Sequence, residues 1–120
     1  DLVLARYAAR ACGGLDALAI THIDRINALD RWAIAYESSA EPQFFDHDTQ
    51  GRPVNLQSGD LEHQERLGQT LREVRPVWTA APGNANEWIQ QFGAALGVPV
   101  WISSSGMSAA HKSWHIPRPS

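Results

Sequence analysis

Residues 17–24 constrain the fold more than any other part of this sequence. They begin with Ala-Leu-Ala-Ile, four apolar residues without alternation, and continue with Thr-His-Ile-Asp. An unbroken apolar run predicts a strand buried on both faces, which is typical of a parallel sheet covered by helices. Proteins of that class bind ligands beyond the carboxyl ends of their strands, so we expect Thr21, His22 and Asp24 at the rim of a site.

A second apolar strand near the end of the chain finishes in the same way. Residues 98–102 are predicted to form it, and Ser103, Ser104, Ser105 and Gly106 follow as a polar turn. If the two strands are parallel neighbours, both polar ends lie at one edge of the sheet. These strands and the helices between them predict an α/β fold with a mostly parallel sheet and flanking helices.

Three segments combine helical spacing of apolar residues with residues that begin a helix well. They are residues 1–12, 60–73 and 84–96, which begin at Asp1, Asp60 and Asn84. Gly13 and Gly14 end the first helix, and Gly97 ends the last. A helix, a glycine turn and the strand at 17–24 predict the returning half of a β-α-β unit, with its earlier strand upstream of Asp1.

The middle of the chain is different in composition. Residues 38–60 are rich in Pro, Gly and polar side chains, which predicts a loop-rich insertion within a single domain spanning residues 1–120. Inside it, residues 43–45 and 52–54 are candidate arms of a hairpin. Flanking strands are predicted at 32–36, where Trp-Ala-Ile-Ala-Tyr is uniformly apolar, and as an extended edge segment at 75–79.

Charge and hydropathy exclude some functions. With a net charge of −3 and 19% charged residues, the chain lacks the basic excess that binds nucleic acid or anionic membranes. No apolar run approaches the roughly 20 residues of a membrane span. The single Cys12 has no internal disulfide partner, which favours a reducing cytoplasm. Because the sequence starts at Asp1 and enters a helical pattern at once, we expect it to be a piece of a longer protein.

Several short blocks follow the order and spacing of one enzyme family. The blocks are residues 7–10, 14–24, 35–37, 76–78, 82–83, 97–100 and 104–106. In this order they resemble the stretches of adenylosuccinate synthetase that contain its Thr-Lys-Leu-Asp and Ser-Thr-Gly-Pro motifs. The corresponding residues here are Thr-His-Ile-Asp at 21–24 and Ser-Ser-Gly-Met at 104–107. Residues 38–72 have no counterpart in the family.

The resemblance implies that the chain is the carboxyl-terminal part of a synthetase with a fold related to P-loop NTPases. The family joins IMP to L-aspartate while hydrolysing GTP, with Mg²⁺ as cofactor, and its members are cytoplasmic homodimers. The catalytic residues of the family lie outside the matching part. We therefore expect this chain to be inactive on its own and to require no cofactor.

In the family, the two motifs hold the guanine base. The resemblance assigns this role to His22, Ile23, Asp24, Ser104, Ser105 and Gly106. The chemistry of the residues agrees with that role, because a carboxylate at Asp24 can accept two parallel hydrogen bonds from guanine N1 and N2. Adenine presents no such pair of donors. A buried carboxylate in this role would reject adenine by factors of about 10⁴.

Departures from the family motifs leave other functions open. His22 stands where the family has Lys, and Met107 where it has Pro, so one alternative is a divergent member with a changed purine or nucleotide preference. Another is an interaction module that keeps the fold and binds nothing at this edge. Without the resemblance, Asp24 also fits a helix cap and residues 103–105 fit a plain polar turn.

Two histidine groups suggest metal binding, but the sequence disfavours it. His111 and His115 are four residues apart, as in a helical metal pair, but prolines follow them. The second candidate is Asp-His-Asp at residues 46–48, where successive side chains point in different directions on an extended chain. We expect no metal site in either place. Packing in the core or at an interface is predicted for Trp32, Trp78, Trp88 and Trp101.

Overall fold

The structure is a computed structural model that describes residues 1–39 and 41–116. Its helices are α1 (Leu2–Ala11), α2 (Leu61–Leu71) and α3 (Ala85–Leu96), with short 3₁₀ helices at Ile23–Ala28, Pro42–Phe44 and Ala109–His111. Its strands are β1 (Leu18–Ile20), β2 (Arg31–Tyr36), β3 (Phe45–His47), β4 (Pro53–Leu56), β5 (Pro76–Ala80), β6 (Val100–Ser104) and β7 (Lys112–Trp114). Pro117 and the three residues after it lie outside the described part.

The three predicted helices are confirmed, and their first turns explain where they begin. The Asp1 and Asp60 carboxylates accept hydrogen bonds from the backbone N–H groups of Leu4 and His63, at 3.0 and 2.9 Å. The Asn84 side chain accepts from two N–H groups of the first turn of α3. These side chains satisfy donors that have no partner inside the helix. Gly97 ends α3 in the left-handed conformation, with φ of 68°.

The prediction of a mostly parallel sheet in a P-loop NTPase-like fold is wrong. The described strands form three small separate sheets, in the orders β1-β6-β7, β2-β5 and β3-β4. The strands β1 and β6 pair in parallel, whereas the pairs β6–β7 and β3–β4 are antiparallel. The hydrogen bonds Glu37 N to Arg75 O and Ala81 N to Asp30 O show that β2 and β5 are antiparallel as well.

The sheet prediction fails because an apolar run indicates that a strand is buried, but not whether the strand beside it is parallel or antiparallel. β2 is almost wholly buried, as its sequence indicates, yet its partner β5 is antiparallel. β1 has the same type of sequence but is an edge strand of only three residues, and Ala19 at its centre is exposed. The expectation that β1 is buried on both faces is therefore also wrong.

The described chain divides into two compact units. Unit 1 contains residues 1–13 and 32–79, and unit 2 contains residues 14–31 and those from Ala80 onward. The helix α1 and the strand β1 thus belong to different units, and α1 packs against β4 of the 38–60 segment. The returning half of a β-α-β unit, with its earlier strand upstream of Asp1, stays a prediction.

The core of unit 1 draws heavily on the segment predicted as a loop-rich insertion. Its buried cluster consists of Val3, Tyr36, Phe44, Phe45, Leu56 and Leu67. Three of these six come from residues 38–60, where β3 and β4 form the predicted hairpin. The rings of Tyr36 and Phe45 meet edge to face, with centroids 6.0 Å apart. Such aromatic pairs add to the free energy gained by burying apolar area.

Two arginines of α1 satisfy backbone carbonyl groups of this core. The guanidinium of Arg6 donates to Val54 O at 2.7 Å and to Asn55 Oδ1 at 3.1 Å, and that of Arg10 donates to Leu56 O. These carbonyls lie on β4, which among the described strands pairs with β3 alone. Burial lowers the pKa of Arg6, and the charge of Arg10 acts in the same direction. The carbonyl hydrogen bonds offset the cost of placing this charge beside the core.

Unit 2 is built on the three-stranded sheet β1-β6-β7. Leu18 lies opposite Val100 and Ile20 opposite Ser103 in the parallel pair, while Ile102 lies opposite Trp114 in the antiparallel pair. The helix α3 packs on β6 at Gly93, where an added Cβ would lie 3.0 Å from Val98 O. A glycine suits this position because the helix and the chain entering β6 approach closely.

In the part of the chain that the structure describes, none of the helices combines the length and the apolar character needed to cross a bilayer.

Removing part of the Leu56 side chain is expected to destabilise unit 1. Leu56 is 1% exposed, so Leu56→Ala leaves a cavity and should lower the free energy of unfolding by about 3 kcal/mol. Urea denaturation followed by circular dichroism measures this. Leu61→Ala is the matched control, because Leu61 is 81% exposed and its truncation should change the free energy by less than about 0.5 kcal/mol. Equal effects of the two variants would contradict the assigned core.

Tyr36 is expected to make stability fall in alkaline solution. Burial raises its pKa from 10.0 to about 12, while the phenol Oη donates a hydrogen bond to Asp1 Oδ2 at 2.9 Å. Between pH 10 and 12 the unfolded chain releases this proton and the folded chain retains it, so the free energy of unfolding decreases as pH rises. Urea denaturation across this range should show a smaller decrease in Tyr36→Phe. An unchanged slope in that variant would contradict the assignment.

Candidate functional site

The parallel pairing of β1 and β6 brings two predicted site segments to the same edge of unit 2. Ile20 near the end of β1 lies opposite Ser103 near the end of β6. Residues 21–24 leave the sheet at this edge, and so do residues 105 and 106. The prediction that the two polar ends share one edge is therefore confirmed, although the rest of the predicted sheet is not.

The segment after β1 turns sharply at His22. His22 has φ of 62°, and among the described non-glycine residues it alone has a positive φ. Its exposed imidazole Nδ1 lies 2.9 Å from Thr21 Oγ1. This backbone conformation is disfavoured for residues with a Cβ, and such strain concentrates at functional positions. It turns the chain directly into the 3₁₀ helix Ile23–Ala28.

Asp24 lies in the first turn of that 3₁₀ helix and does not cap it. The residue at the cap position is His22, whose side chain makes no capping hydrogen bond. The Asp24 side chain is 49% exposed, and its Oδ2 lies 3.8 Å from Arg25 Nε. Ile23 is partly buried. The carboxylate is therefore accessible to a ligand, but it faces solvent and an adjacent guanidinium.

The turn after β6 satisfies its own polar groups. Ser104 is buried, and its Oγ donates to Gly106 O at 2.9 Å. The Ser105 N–H donates to His111 O at 3.0 Å. An added Cβ on Gly106 would lie 2.6 Å from the imidazole of His111. The close approach that Gly106 permits is thus made by His111, whereas the resemblance implies that a base lies against Gly106.

His111 is a residue of this edge that the sequence-based assignment omits. Its Nδ1 lies 2.9 Å from Ser108 Oγ, and the Ser108 N–H donates to the same nitrogen at 3.3 Å. This pair caps the 3₁₀ helix Ala109–His111. The spacing of Ser108 and His111 resembles that of a capping box, and it is the signal from which this contact could have been predicted.

His111, His115 and Asp48, which the sequence offers as metal ligands, have other partners. His115 Nε2 lies 2.8 Å from Ser103 Oγ, apart from the His111–Ser108 pair. The carboxylate of Asp48 accepts hydrogen bonds from the backbone of Gln50 and Arg52, and the Arg52 contact is the main reason that its pKa is lowered. Among residues 1–39 and 41–116, no cluster of three or more His, Cys, Asp or Glu side chains could hold a metal ion.

A cleft of about 580 Å³ lies near the opposite end of β6. One side is a face of α3 that includes Asn86, Gln90, Gly93 and Gly97, and His115 borders it as well. No sequence pattern predicts this cleft. The helical spacing of the four α3 residues is a signal that they share a face. Nothing in their types indicates that the face is left open.

Of the four tryptophans predicted to pack, two are largely outside the core. Trp32 is buried, and Trp88 stacks on Phe92 with ring centroids 5.1 Å apart. Trp78 and Trp101 are 49% and 41% exposed. These two side chains therefore lie outside the core, and packing at an interface stays a prediction for them.

Variants at residues 21 and 22 distinguish the effect of the left-handed backbone at His22 on stability from the effect of its side-chain contact with Thr21. His22→Val places a β-branched residue at a positive φ and should lower the free energy of unfolding by about 1–2 kcal/mol, whereas His22→Gly should change it by less than about 0.5 kcal/mol. Denaturant titration measures both. Thr21→Val removes the hydrogen bond and leaves the strain, and should also be nearly neutral. A stable His22→Val variant would be inconsistent with the left-handed conformation.

The comparison with known proteins gives no family. No protein-family model matches the chain, and no curated protein matches it. The resemblance to adenylosuccinate synthetase therefore rests on the short blocks of the sequence alone.

Proposed function

We propose that this chain is a guanine-nucleotide-binding part of a protein related to adenylosuccinate synthetase. The base would contact residues on both sides of the edge formed by β1 and β6, namely His22, Ile23, Asp24, Ser104, Ser105 and Gly106. The observation that supports this proposal best is the parallel pairing of Ile20 with Ser103. It brings together two motifs that are far apart in the sequence and that serve one ligand in the family.

Asp24 supplies the discriminating group in this proposal. Its carboxylate accepts the N1–H and N2–H of guanine, and adenine would leave it unpaired. Because the side chain is half exposed, water replaces the missing partner and the discrimination is far below the 10⁴ expected of a buried carboxylate. A charge-assisted pair at such a site discriminates by roughly tenfold.

The partners and cofactors follow from the family reaction. GTP with Mg²⁺, IMP and L-aspartate would bind to the complete protein, which we place in the cytoplasm as a homodimer. The chain contributes base recognition, and the residues that transfer phosphate lie elsewhere in that protein. Catalysis by this chain alone is not part of the proposal.

A changed base preference is the second candidate, and the conformation of His22 favours it. The family has a long Lys side chain at this position, whereas here a left-handed backbone carries an imidazole engaged with Thr21 Oγ1. An imidazole can stack on any purine, and it does not extend as a point charge. A site that depends on stacking more than on Asp24 would bind guanine and adenine nucleosides equally.

Nucleoside titrations of Asp24→Asn test the proposal. We expect guanosine to perturb the backbone amides of Ile23 and Gly106 in NMR spectra, and to bind about tenfold more tightly than inosine, which lacks N2–H. Asp24→Asn should abolish this preference, because an amide cannot accept both hydrogen bonds. The control is Asp16→Asn, which changes an exposed carboxylate of the same unit. Equal affinities for both nucleosides in the unaltered chain would support the second candidate, and no perturbation at this edge would overturn both.

A further inference from the structure

The imidazole of His111 closes the turn that follows β6. An added Cβ on Gly106 would lie 2.6 Å from Cγ and Nδ1 of this ring and 3.1 Å from Cδ2, so the ring packs directly on the backbone of Gly106. The Ser105 N–H holds the two ends of the turn together, because it donates to His111 O at 3.0 Å. Residues 105–111 thus form a closed flap, and the imidazole is the part of the flap that covers Gly106.

The lone pair of His111 Nδ1 keeps the ring in this position. The Ser108 N–H donates to Nδ1 at 3.3 Å, and Ser108 Oγ lies 2.9 Å from the same nitrogen. The hydroxyl could turn to accept a proton from the ring, but a backbone N–H can only donate. Nδ1 must therefore carry no proton when the N–H contact is made, so the closed flap requires a neutral imidazole with its proton on Nε2.

No charged group is in place to stabilise a protonated ring. Among the described residues, none has a carboxylate within ion-pair distance of the His111 imidazole, and the groups that the ring contacts, in Gly106 and Ser108, are uncharged. On β7 the adjacent side chain is the cation of Lys112. In the 3₁₀ helix that contacts β6, the Asp24 carboxylate lies beside its neighbour Arg25. A proton on Nδ1 thus removes a hydrogen bond without creating an ion pair.

We infer that residues 105–111 form a pH-sensitive flap, which a neutral His111 holds closed over Gly106 and a protonated His111 opens. The closed form excludes a proton from Nδ1, so a fall in pH favours the open form. Histidine side chains gain their proton at roughly pH 6.5, and the flap therefore opens in mildly acidic solution. The hydrogen bond from the Ser105 N–H to His111 O involves no ring atom, so the side chain can rotate away while the backbone stays in place.

The flap has a consequence for the proposed guanine site, and that consequence rests on the proposed function. The base would lie against Gly106, where the imidazole of His111 packs in this structure. A neutral ring therefore competes with the base, and its release in acid exposes the backbone of Gly106. The opening of the flap is a property of the turn and requires no ligand.

Amide hydrogen exchange of the whole chain, followed by NMR, tests the inference. After correction for the intrinsic effect of pH, the Ser108 amide should exchange about fivefold faster at about pH 5 than at about pH 8, because it loses its acceptor. A nuclear Overhauser effect between His111 Hδ2 and Gly106 Hα should be present at the higher pH and absent at the lower. Equal exchange of Ser108 at both pH values, or an Overhauser effect that persists in acid, would overturn the inference.

Two matched variants identify the group that titrates. Glutamine is a usual partner in a capping box, and its side-chain oxygen accepts from a backbone N–H at any pH, so His111→Gln should keep the Ser108 amide equally protected at both pH values. His115→Gln is the control, because it removes another exposed histidine, which follows β7 and contacts Ser103. It should leave the fivefold response unchanged. A response that survives in His111→Gln or disappears in His115→Gln would contradict the assignment to His111.

Guanosine titrations separate the flap from the proposed function. His111→Ala removes the competing ring and should bind guanosine about tenfold more tightly than the unaltered chain does at about pH 8. If neither protein binds guanosine, the proposed function is wrong, and the exchange of Ser108 still tests the flap. Equal guanosine affinities of the two proteins would refute the competition between the imidazole and the base.

Discussion

The parallel pairing of β1 with β6 is the interaction on which unit 2 depends. It joins segments separated by roughly 80 residues, and closing a loop of that length carries an entropic cost that a three-residue ladder alone offsets poorly. Further contacts are therefore required. The 3₁₀ helix Ile23–Ala28 also contacts β6, and β7 pairs with the other side of that strand. Because β6 lies at the centre of its sheet, it determines where both polar segments leave the sheet.

Local signals in the sequence predict the positions of the helices well, whereas the pairing of the strands is harder to predict. Asp1, Asp60 and Asn84 each cap a helix because a short polar side chain can reach an N–H of the first turn without any tertiary contact. The direction of a neighbouring strand depends instead on the whole chain. Similar apolar runs occur in β2 and β1, yet one is buried beside an antiparallel partner and the other is an exposed edge. That difference is why the predicted sheet is wrong.

For the candidate site, the sequence predicts the location but not the side-chain contacts. The edge shared by residues 21–24 and 104–106 follows from two apolar runs with polar ends, once the runs are parallel. The details depend on side-chain contacts that no spacing reveals. His111 occupies the space beside Gly106, and Asp24 lies next to Arg25 in a half-exposed position. The helical spacing of residues does not predict the cleft beside α3 either. It indicates which residues share a face of the helix, but not which part of that face other residues leave uncovered.

The division of the chain into two units has a consequence for the order in which they are completed during synthesis. The segment 14–31 of unit 2 leaves the ribosome well before its partners, which begin at Ala80, whereas unit 1 has all its residues once Thr79 has emerged. Until β6 has been made, the backbone groups of β1 have no strand to pair with, and an unpaired apolar strand is a site for aggregation. Unit 1 can thus mature co-translationally, while unit 2 must await the residues that follow Thr79.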